Sequence, residues 1–185
     1  MLDQLLQWDQ DVFIYLNGLG VEFWDPFWST VTQISVWIPL FLLFLVLFLL
    51  KFPKKQAFIR IATVIGLAFF ITLITHWTKI GFQRLRPCYD PEINSFIRIL
   101  DTPSGYSFFS GHAASSFAIA LLVYLLLRKK IKWAGLFFVW PLLFTTSRIY
   151  VGVHYPLDVL VGAGVGALSG LLFYRLHRAI APGTS

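Results

Sequence analysis

Residues Trp28 to Leu50 read WSTVTQISVWIPLFLLFLVLFLL and contain no charged side chain. A helix needs roughly 20 apolar residues to cross the hydrocarbon core of a bilayer, and this run meets that length. Backbone groups in lipid must pair within their own segment, and the alternating pattern of a membrane β-barrel is absent from the sequence. The stretch therefore predicts a membrane-spanning helix.

The rest of the chain has the same character. Of its 185 residues, 57% are hydrophobic and only 13% are charged, values that lie outside those of an ordinary soluble domain. Four further apolar stretches run over Ala57 to Trp77, Gly111 to Leu127, Trp133 to Thr146 and Pro156 to Phe173. The sequence therefore predicts an all-α integral membrane protein, a bundle of about five transmembrane helices in one domain over residues 1–185.

Residues 1–20 are different, because apolar side chains alternate there with Asp and Gln at helical spacing. The apolar positions are Leu2, Leu5, Leu6, Trp8, Val12, Tyr15 and Leu16. This pattern predicts an amphipathic helix that lies at the outer membrane interface. Packing of the same helix on the bundle itself is the open alternative.

The positive charges predict the orientation of the bundle. Of the 15 Lys and Arg residues, nine fall between the first and second stretches, between the third and fourth, or after the fifth, and Arg60 lies at the start of the second stretch, next to the first of these places. These places share one side, which the positive-inside rule makes cytoplasmic. The net charge of +6 then follows from topology and anionic headgroups rather than from nucleic-acid binding. The five exceptions on the outer side are Lys79, Arg84, Arg86, Arg98 and Arg148.

Three polar clusters interrupt the apolar pattern, and the predicted topology brings all of them to the outer side. The first is KIGFQRLRP, Lys79 to Pro87, in an outer segment over residues 79–110. The second is SGH at residues 110–112, and the third is SRIYVGVHYPLD, Ser147 to Asp158. Each alone has a plainer explanation: snorkelling cations, a helix start, or a structural His–Asp pair. Their meeting on one side favours a shared site.

The residue types in these clusters suit phosphate chemistry. Pro156 fits the first turn of the last helix, so Asp158 can reach back to His154 and fix its tautomer, which leaves the other ring nitrogen as nucleophile or base. The helix start at Ser110 and Gly111 offers free N–H groups to an anion.

The combined pattern K-x6-RP, SGH, SR-x5-H-x3-D resembles the signature of the type 2 phosphatidic acid phosphatase (PAP2) superfamily. The layout also resembles the small bacterial lipid phosphatases of that family, although Phe109 replaces the proline that usually precedes SGH. The resemblance implies that His154 attacks phosphorus, that Asp158 orients it, and that His112 protonates the leaving oxygen. It also implies a set of phosphate-binding groups: Lys79, Arg86, Ser110, the Gly111 amide and Arg148.

The resemblance further implies a phosphatase in a bacterial inner membrane, multi-pass, with its site facing the periplasm or exterior. Its substrate would be a lipid-linked phosphate or pyrophosphate, hydrolysed through a phosphohistidine without metal or other cofactor. Among undecaprenyl pyrophosphate, phosphatidylglycerol phosphate, phosphatidic acid and lipid A phosphate, the first is favoured. A lipid transporter or headgroup-binding protein that does not hydrolyse is the rival from another class.

Small residues recur at Gly162, Gly166 and Gly170 in the last apolar stretch. Glycine at every fourth position lets helices approach closely. Packing within the bundle is the favoured interpretation, and a homodimer through this face is the lesser one.

Overall fold

The computed structural model describes residues 1–181, apart from the side chain of Leu2, so the end of the predicted domain at 182–185 lies outside the described residues. The described part is helical and contains no strand. Its α-helices are α1 (Leu2–Gly18), α2 (Asp25–Val31), α3 (Ile38–Lys51), α4 (Lys54–Phe82), α5 (Gly111–Leu127), α6 (Val139–Tyr150) and α7 (Pro156–Ile180). Short 3-10 turns precede α2, α3 and α6 at Glu22–Trp24, Ile34–Trp37 and Ala134–Phe138, and another follows α4 at Pro87–Tyr89.

Three helical segments are long and apolar enough to cross a membrane, judged by length and composition: Ile34–Lys51, Lys54–Tyr89 and Pro156–Ile180. A shorter apolar helix covers Gly111–Leu127. The predicted all-helical membrane bundle is therefore confirmed, whereas the number of five spans stays a prediction.

The first predicted span is not one continuous helix. The chain breaks after Val31, and Gln33 adopts an extended conformation before the turn that leads into α3. The indole of Trp37 donates a hydrogen bond to the carbonyl of Val31 (2.9 Å), so a polar group freed by the break is paired. Arg148 donates to the Thr32 hydroxyl at the same place. Polar partners therefore make a break tolerable inside an apolar sequence.

Helix α5 forms the centre of the bundle and packs against α4, α6 and α7. Its contact with α7 is close because three of the four glycines of α7, Gly162, Gly166 and Gly170, face it. A Cβ atom at Gly162 would lie 2.6 Å from the Ser110 carbonyl oxygen, and one at Gly170 would lie 2.9 Å from that of Ala118. A Cβ at Gly166 would lie closer still, against the carbonyl oxygen of Ala114. This glycine face is thus occupied within the chain, so a homodimer through it would require α5 to be displaced.

Helix α1 packs on the bundle, although through other residues than the predicted apolar set. Asp9, Phe13 and Asn17 are fully buried, whereas Trp8 and Tyr15 are 54% and 66% exposed. The Asn17 amide donates to three backbone carbonyls, those of Arg98, Ile149 and Tyr150. The helix therefore lays the stripe of Asp9, Phe13 and Asn17 on the protein and leaves most of its apolar side facing outward, as an interfacial helix would.

Candidate active site

The three sequence clusters meet around the loop between α6 and α7. The carbonyl of Arg148 accepts hydrogen bonds from the backbone N–H groups of Val153 (3.1 Å) and His154 (3.3 Å), which folds the loop back on α6. Gly152 has a φ of +84°, and a Cβ there would collide with the backbone of Arg98 and Ile99, so glycine is needed at this turn. The loop is thus a rigid support for His154.

The ring of His154 is buried, with 1% of its surface exposed, and both ring nitrogens have partners. Nδ1 lies 3.4 Å from the Asp158 carboxylate and 3.4 Å from the Ser107 hydroxyl. Nε2 lies 3.1 Å from Nη1 of Arg86. A guanidinium can only donate, so Nε2 accepts and Nδ1 carries the proton toward Asp158. This tautomer leaves a lone pair on Nε2.

Burial also keeps this imidazole neutral. It lowers the pKa of His154 to about 3, and the neighbouring guanidinium groups of Arg86 and Arg148 act in the same direction. Hydrogen bonding and charge from Asp158 favour the protonated ring but do not overcome burial. At neutral pH the lone pair of Nε2 is therefore available for reaction.

Asp158 is fixed from several sides. Its Oδ2 accepts from the Tyr155 N–H (3.0 Å), which closes a capping box at the start of α7, and from the hydroxyl of Ser107. Its Oδ1 accepts from Nη1 of Arg84 at 2.9 Å. The carboxylate that faces His154 is therefore held in one orientation.

Lys79 and Arg86 hold the loop over residues 104–107. Nζ of Lys79 donates to the carbonyls of Tyr106 and Ser107, the latter at 3.1 Å. Arg86 donates from Nε to Gly105 (3.0 Å) and from Nη1 to the Val153 carbonyl (3.2 Å). The helix α4 continues through Phe82, so Lys79 lies in its last turn and the predicted outer segment at 79–110 begins later than expected.

Arg148 lies on α6 with 3% of its surface exposed. Nη2 lies 3.6 Å from the Asp101 carboxylate, and Nη1 donates to Thr32. Nε is buried and has no hydrogen-bond partner among the described residues. A buried donor without a partner is costly, so this N–H is suited to an oxygen supplied by a bound molecule.

The second cluster starts α5. Ser110 is the N-cap, with its hydroxyl accepting from the Ala113 N–H (3.4 Å), while its own N–H donates to the Asp158 carbonyl (2.9 Å). The first N–H groups of a helix have no partner within it and face an anion well. Phe109, which stands where the family usually has proline, is buried in the main core. The turn before α5 is thus anchored by packing and by α7.

His112 opens onto a cavity of about 480 Å³ between α4, α5 and the turn before α3. The lining of this cavity also includes the polar residues Lys79 and Ser115 and the backbone of Gly111. Apolar side chains, among them Ile71 and Phe144, form other parts of its wall. His112 is close enough to Lys79, Arg86, Arg148 and His154 to interact electrostatically with all four. All the residues of the predicted site thus belong to one neighbourhood.

Four residues of this neighbourhood were not predicted from the sequence: Ser107, Thr32, Asp9 and Arg84. Ser107 and Thr32 lie in no periodic pattern that could single them out. Arg84 and Arg98 match no motif position, and the structure gives both of them partners within the protein. Arg84 bridges Asp158 and Asp9, and Arg98 pairs with Asp25. The spacing of Asp9, Phe13 and Asn17 by four residues was the one available signal for a buried face of α1.

Comparison with known proteins identifies the family. The profile of the PAP2 superfamily matches residues 57–181, so the chain belongs to that superfamily. It is 32% identical to the lipid A 4'-phosphatase of Bacteroides thetaiotaomicron, covering 97% of this chain and 81% of that protein. It is 35% identical to the undecaprenyl-diphosphatase of Sulfolobus acidocaldarius, covering 88% of this chain and 71% of that one. These relationships make it a lipid phosphate phosphatase.

Two solved structures have the same fold. The transmembrane PAP2-type phosphatidylglycerolphosphate phosphatase from Bacillus subtilis superposes with a TM-score of 0.77 at 18% identity, over 97% of this chain and 89% of that one. Aquifex aeolicus LpxE superposes with a TM-score of 0.67 at 26% identity, over 90% and 94%. The bundle is therefore that of the bacterial membrane phosphatases.

Proposed function

We propose that this phosphatase hydrolyses a phosphate carried by a membrane lipid, at the outer face of the membrane, through a phosphohistidine on His154. The observation that carries the proposal is the state of the His154 ring. Its Nδ1 faces Asp158, and the lone pair of Nε2 is among the cations of the site. A buried, neutral imidazole oriented by a carboxylate is the arrangement of an activated nucleophile.

The reaction then has two displacements. Nε2 of His154 forms a bond to phosphorus as the bond to the lipid oxygen breaks, and His112 gives its proton to that oxygen. A phosphoryl oxygen replaces Nε2 as the acceptor of the Arg86 hydrogen bond, which frees the lone pair for attack. His112, now a neutral imidazole, takes a proton from water and returns to the imidazolium, and the resulting hydroxide bonds to phosphorus as the P–N bond breaks, which releases inorganic phosphate.

The negative charge of the transferred group is balanced by Lys79, Arg86 and Arg148, with donors from Ser110 and the Gly111 amide. Phosphoryl transfer depends mainly on such positioned cations and donors around the equatorial oxygens. We therefore expect phosphate release to continue in the presence of EDTA. Loss of activity with EDTA and its return with one divalent metal would contradict this part of the proposal.

Lipid A phosphate is the first substrate to test. The lipid A 4'-phosphatase of Bacteroides thetaiotaomicron aligns with nearly all of this chain. Undecaprenyl pyrophosphate, the substrate favoured by the sequence alone, is the second candidate, because the Sulfolobus undecaprenyl-diphosphatase is a similarly close relative. The cavity at Lys79 and His112 has apolar walls, which favours a lipid over a soluble phosphate ester.

The test is inorganic phosphate release by purified protein from four lipids: lipid A, undecaprenyl pyrophosphate, phosphatidylglycerol phosphate and phosphatidic acid. Wild type should act on at least one of them. His154→Asn should reduce kcat by at least about 10⁴-fold, the size of effect expected when a nucleophile is removed. His177→Asn is the matched control, since this histidine lies in the last turn of α7, at the end of the helix opposite to Asp158, and it should stay near wild type. Activity of His154→Asn near that of wild type would remove the proposed nucleophile.

A further inference from the structure

The amino-terminal helix brings a buried carboxylate up to the active site. Asp9 of α1 is fully buried, although it lies in a helix whose apolar side faces outward. Its Oδ1 accepts from the backbone N–H of Leu157 at 2.8 Å, in the first turn of α7. Its Oδ2 accepts from Nη2 of Arg84 at 2.7 Å. One carboxylate thus joins α1 to the helix that carries Asp158 and to the arginine that holds it.

Arg84 bridges two buried carboxylates. Its Nη1 donates to Asp158 at 2.9 Å while its Nη2 donates to Asp9, so the two arms of the guanidinium are both engaged. Its plane also lies over the ring of Tyr155, with 4.0 Å between the guanidinium carbon and the ring centroid. A planar fork that is stacked and bonded at both arms has little freedom to rotate.

Helix α1 and the outer segment also fix the ring on which Arg84 stacks. Phe13 of α1 meets Tyr155 edge to face at 5.3 Å, and the Tyr155 hydroxyl donates to Asp90 at 2.8 Å. Tyr155 is the residue directly after His154. The position of Arg84, and with it the orientation of Asp158, therefore depends on α1.

From these contacts we propose that Asp9 and Arg84 are positioning residues of the phosphatase. Asp9 holds Arg84, Arg84 holds Oδ1 of Asp158, and Oδ2 of Asp158 then faces Nδ1 of His154. Neither residue touches the phosphoryl group. The inference rests on the proposed function, in which His154 is the nucleophile that Asp158 orients.

A purely structural role for Asp9 gives different consequences. Asn17, two turns further along α1, also anchors this helix, through its bonds to the carbonyls of Arg98, Ile149 and Tyr150. If Asp9 were only another anchor, its loss would lower thermal stability in the way that Asn17→Ala does. If it acts through Arg84, its loss lowers kcat.

The main variant is Asp9→Asn, because an amide oxygen still accepts from the Leu157 N–H while the charge that holds Arg84 is gone. Asp11→Asn is the matched control: Asp11 lies on the same helix, is exposed, and accepts a hydrogen bond from Gln7 (3.0 Å). Phosphate release from lipid A and from undecaprenyl pyrophosphate is measured for each. We expect kcat of Asp9→Asn to fall about tenfold to a hundredfold, the range for losing a hydrogen bond between charged groups.

Two further readouts distinguish positioning from anchoring. KM of Asp9→Asn should stay within about twofold of wild type, since Lys79 and Arg148 still meet the phosphate. In an Arg84→Gln background, Asp9→Asn should change kcat by less than about twofold, because its effect passes through Arg84. If Asp9 were only an anchor, the fold-decreases in kcat caused by Asp9→Asn and by Arg84→Gln would multiply in the double variant.

If Asp9→Asn does not fold, Arg84→Lys tests the positioning role instead. A lysine cannot bridge both carboxylates, so this variant should lower kcat with KM unchanged.

Wild-type kcat in Asp9→Asn, or multiplicative losses together with lower thermal stability, would overturn the positioning role while leaving the phosphatase itself intact. A wild-type protein that releases no phosphate from any of the four lipids would instead overturn the proposed function. The two failures are therefore distinguishable in one set of measurements.

Discussion

His154 is fully buried, yet its polar ring must react. Burying a polar ring is costly unless its nitrogens have hydrogen-bond partners. The surroundings resolve this by pairing both nitrogens, Nδ1 with Asp158 and Nε2 with Arg86. Burial then lowers the pKa, so the ring avoids the cost of a buried charge. A reactive side chain is thereby kept neutral and oriented inside the protein.

The lowered pKa of His154 has a consequence for stability. The unfolded chain takes up a proton near pH 6.5, whereas the folded protein does so only near 3. The contribution of His154 to the free energy of unfolding is therefore fully present above pH 6.5 and decreases as the pH falls below that value. At pH 5 the decrease is about 2 kcal/mol. Replacing His154 by Asn removes that loss.

The measurement is thermal unfolding of the detergent-purified protein at pH 7 and pH 5. Wild type should lose more thermal stability between these two values than His154→Asn does, whatever the other titrating groups contribute to both. Equal losses in the two proteins would show that the folded and unfolded pKa values of His154 are similar.

At the scale of elements, the contact between α5 and α7 positions the active site. The N–H of Ser110 at the start of α5 bonds the carbonyl of Asp158 in α7. This close approach is possible because Gly162, Gly166 and Gly170 present no side chain to α5. Small residues at such a crossing bring the SGH motif next to the histidine loop.

Gly166→Ala should therefore destabilise the bundle by about 1–3 kcal/mol, because its new methyl group would meet the backbone carbonyl of Ala114. Gly164→Ala provides the matched control, since a Cβ there meets no atom within 4 Å and alanine favours a helix. Thermal unfolding should show a lower Tm for the first variant only. A Tm of Gly166→Ala equal to that of Gly164→Ala would contradict this packing.

The sequence could predict the apolar helices and the three motifs, because each depends on local spacing. It could not predict the break at Thr32, since a polar partner from α6 makes that break tolerable. It also could not join Asp9 to Arg84, because the two are 75 positions apart and no local pattern relates them. The buried stripe of Asp9, Phe13 and Asn17 has helical spacing, but two of its three side chains are polar, so the apolar pattern of α1 does not single it out.

At the scale of the whole molecule, the charge distribution and the site agree on one direction. The cations after α3 and α5 and at the end of α7 meet at one end of the bundle, where Lys129, Lys130 and Arg178 line one cavity, and the motif residues lie at the opposite ends of α4, α5 and α7. By the positive-inside rule, we expect the active site to face outward. The amino-terminal helix, which contacts the site through Asp9, belongs to the same side.

This orientation predicts which positions a membrane-impermeant thiol reagent reaches in intact cells. Cys88 is first replaced by Ala, so that a single new cysteine can be placed at Glu92 or at Lys129, both exposed. The Glu92→Cys protein should be labelled in intact cells, and the Lys129→Cys protein only after the membrane is permeabilised. The reverse pattern would put the active site on the cytoplasmic side.

The central claim, covalent catalysis by His154, is tested most directly by trapping the intermediate. The wild-type enzyme is mixed with lipid A carrying ³²P in its phosphate, or with labelled undecaprenyl pyrophosphate, and quenched within the first turnover. The label should remain on the protein in alkali, be lost in acid, and map to the peptide that contains His154. Label on His112 instead, or rapid phosphate release with no labelled protein at any time, would contradict it.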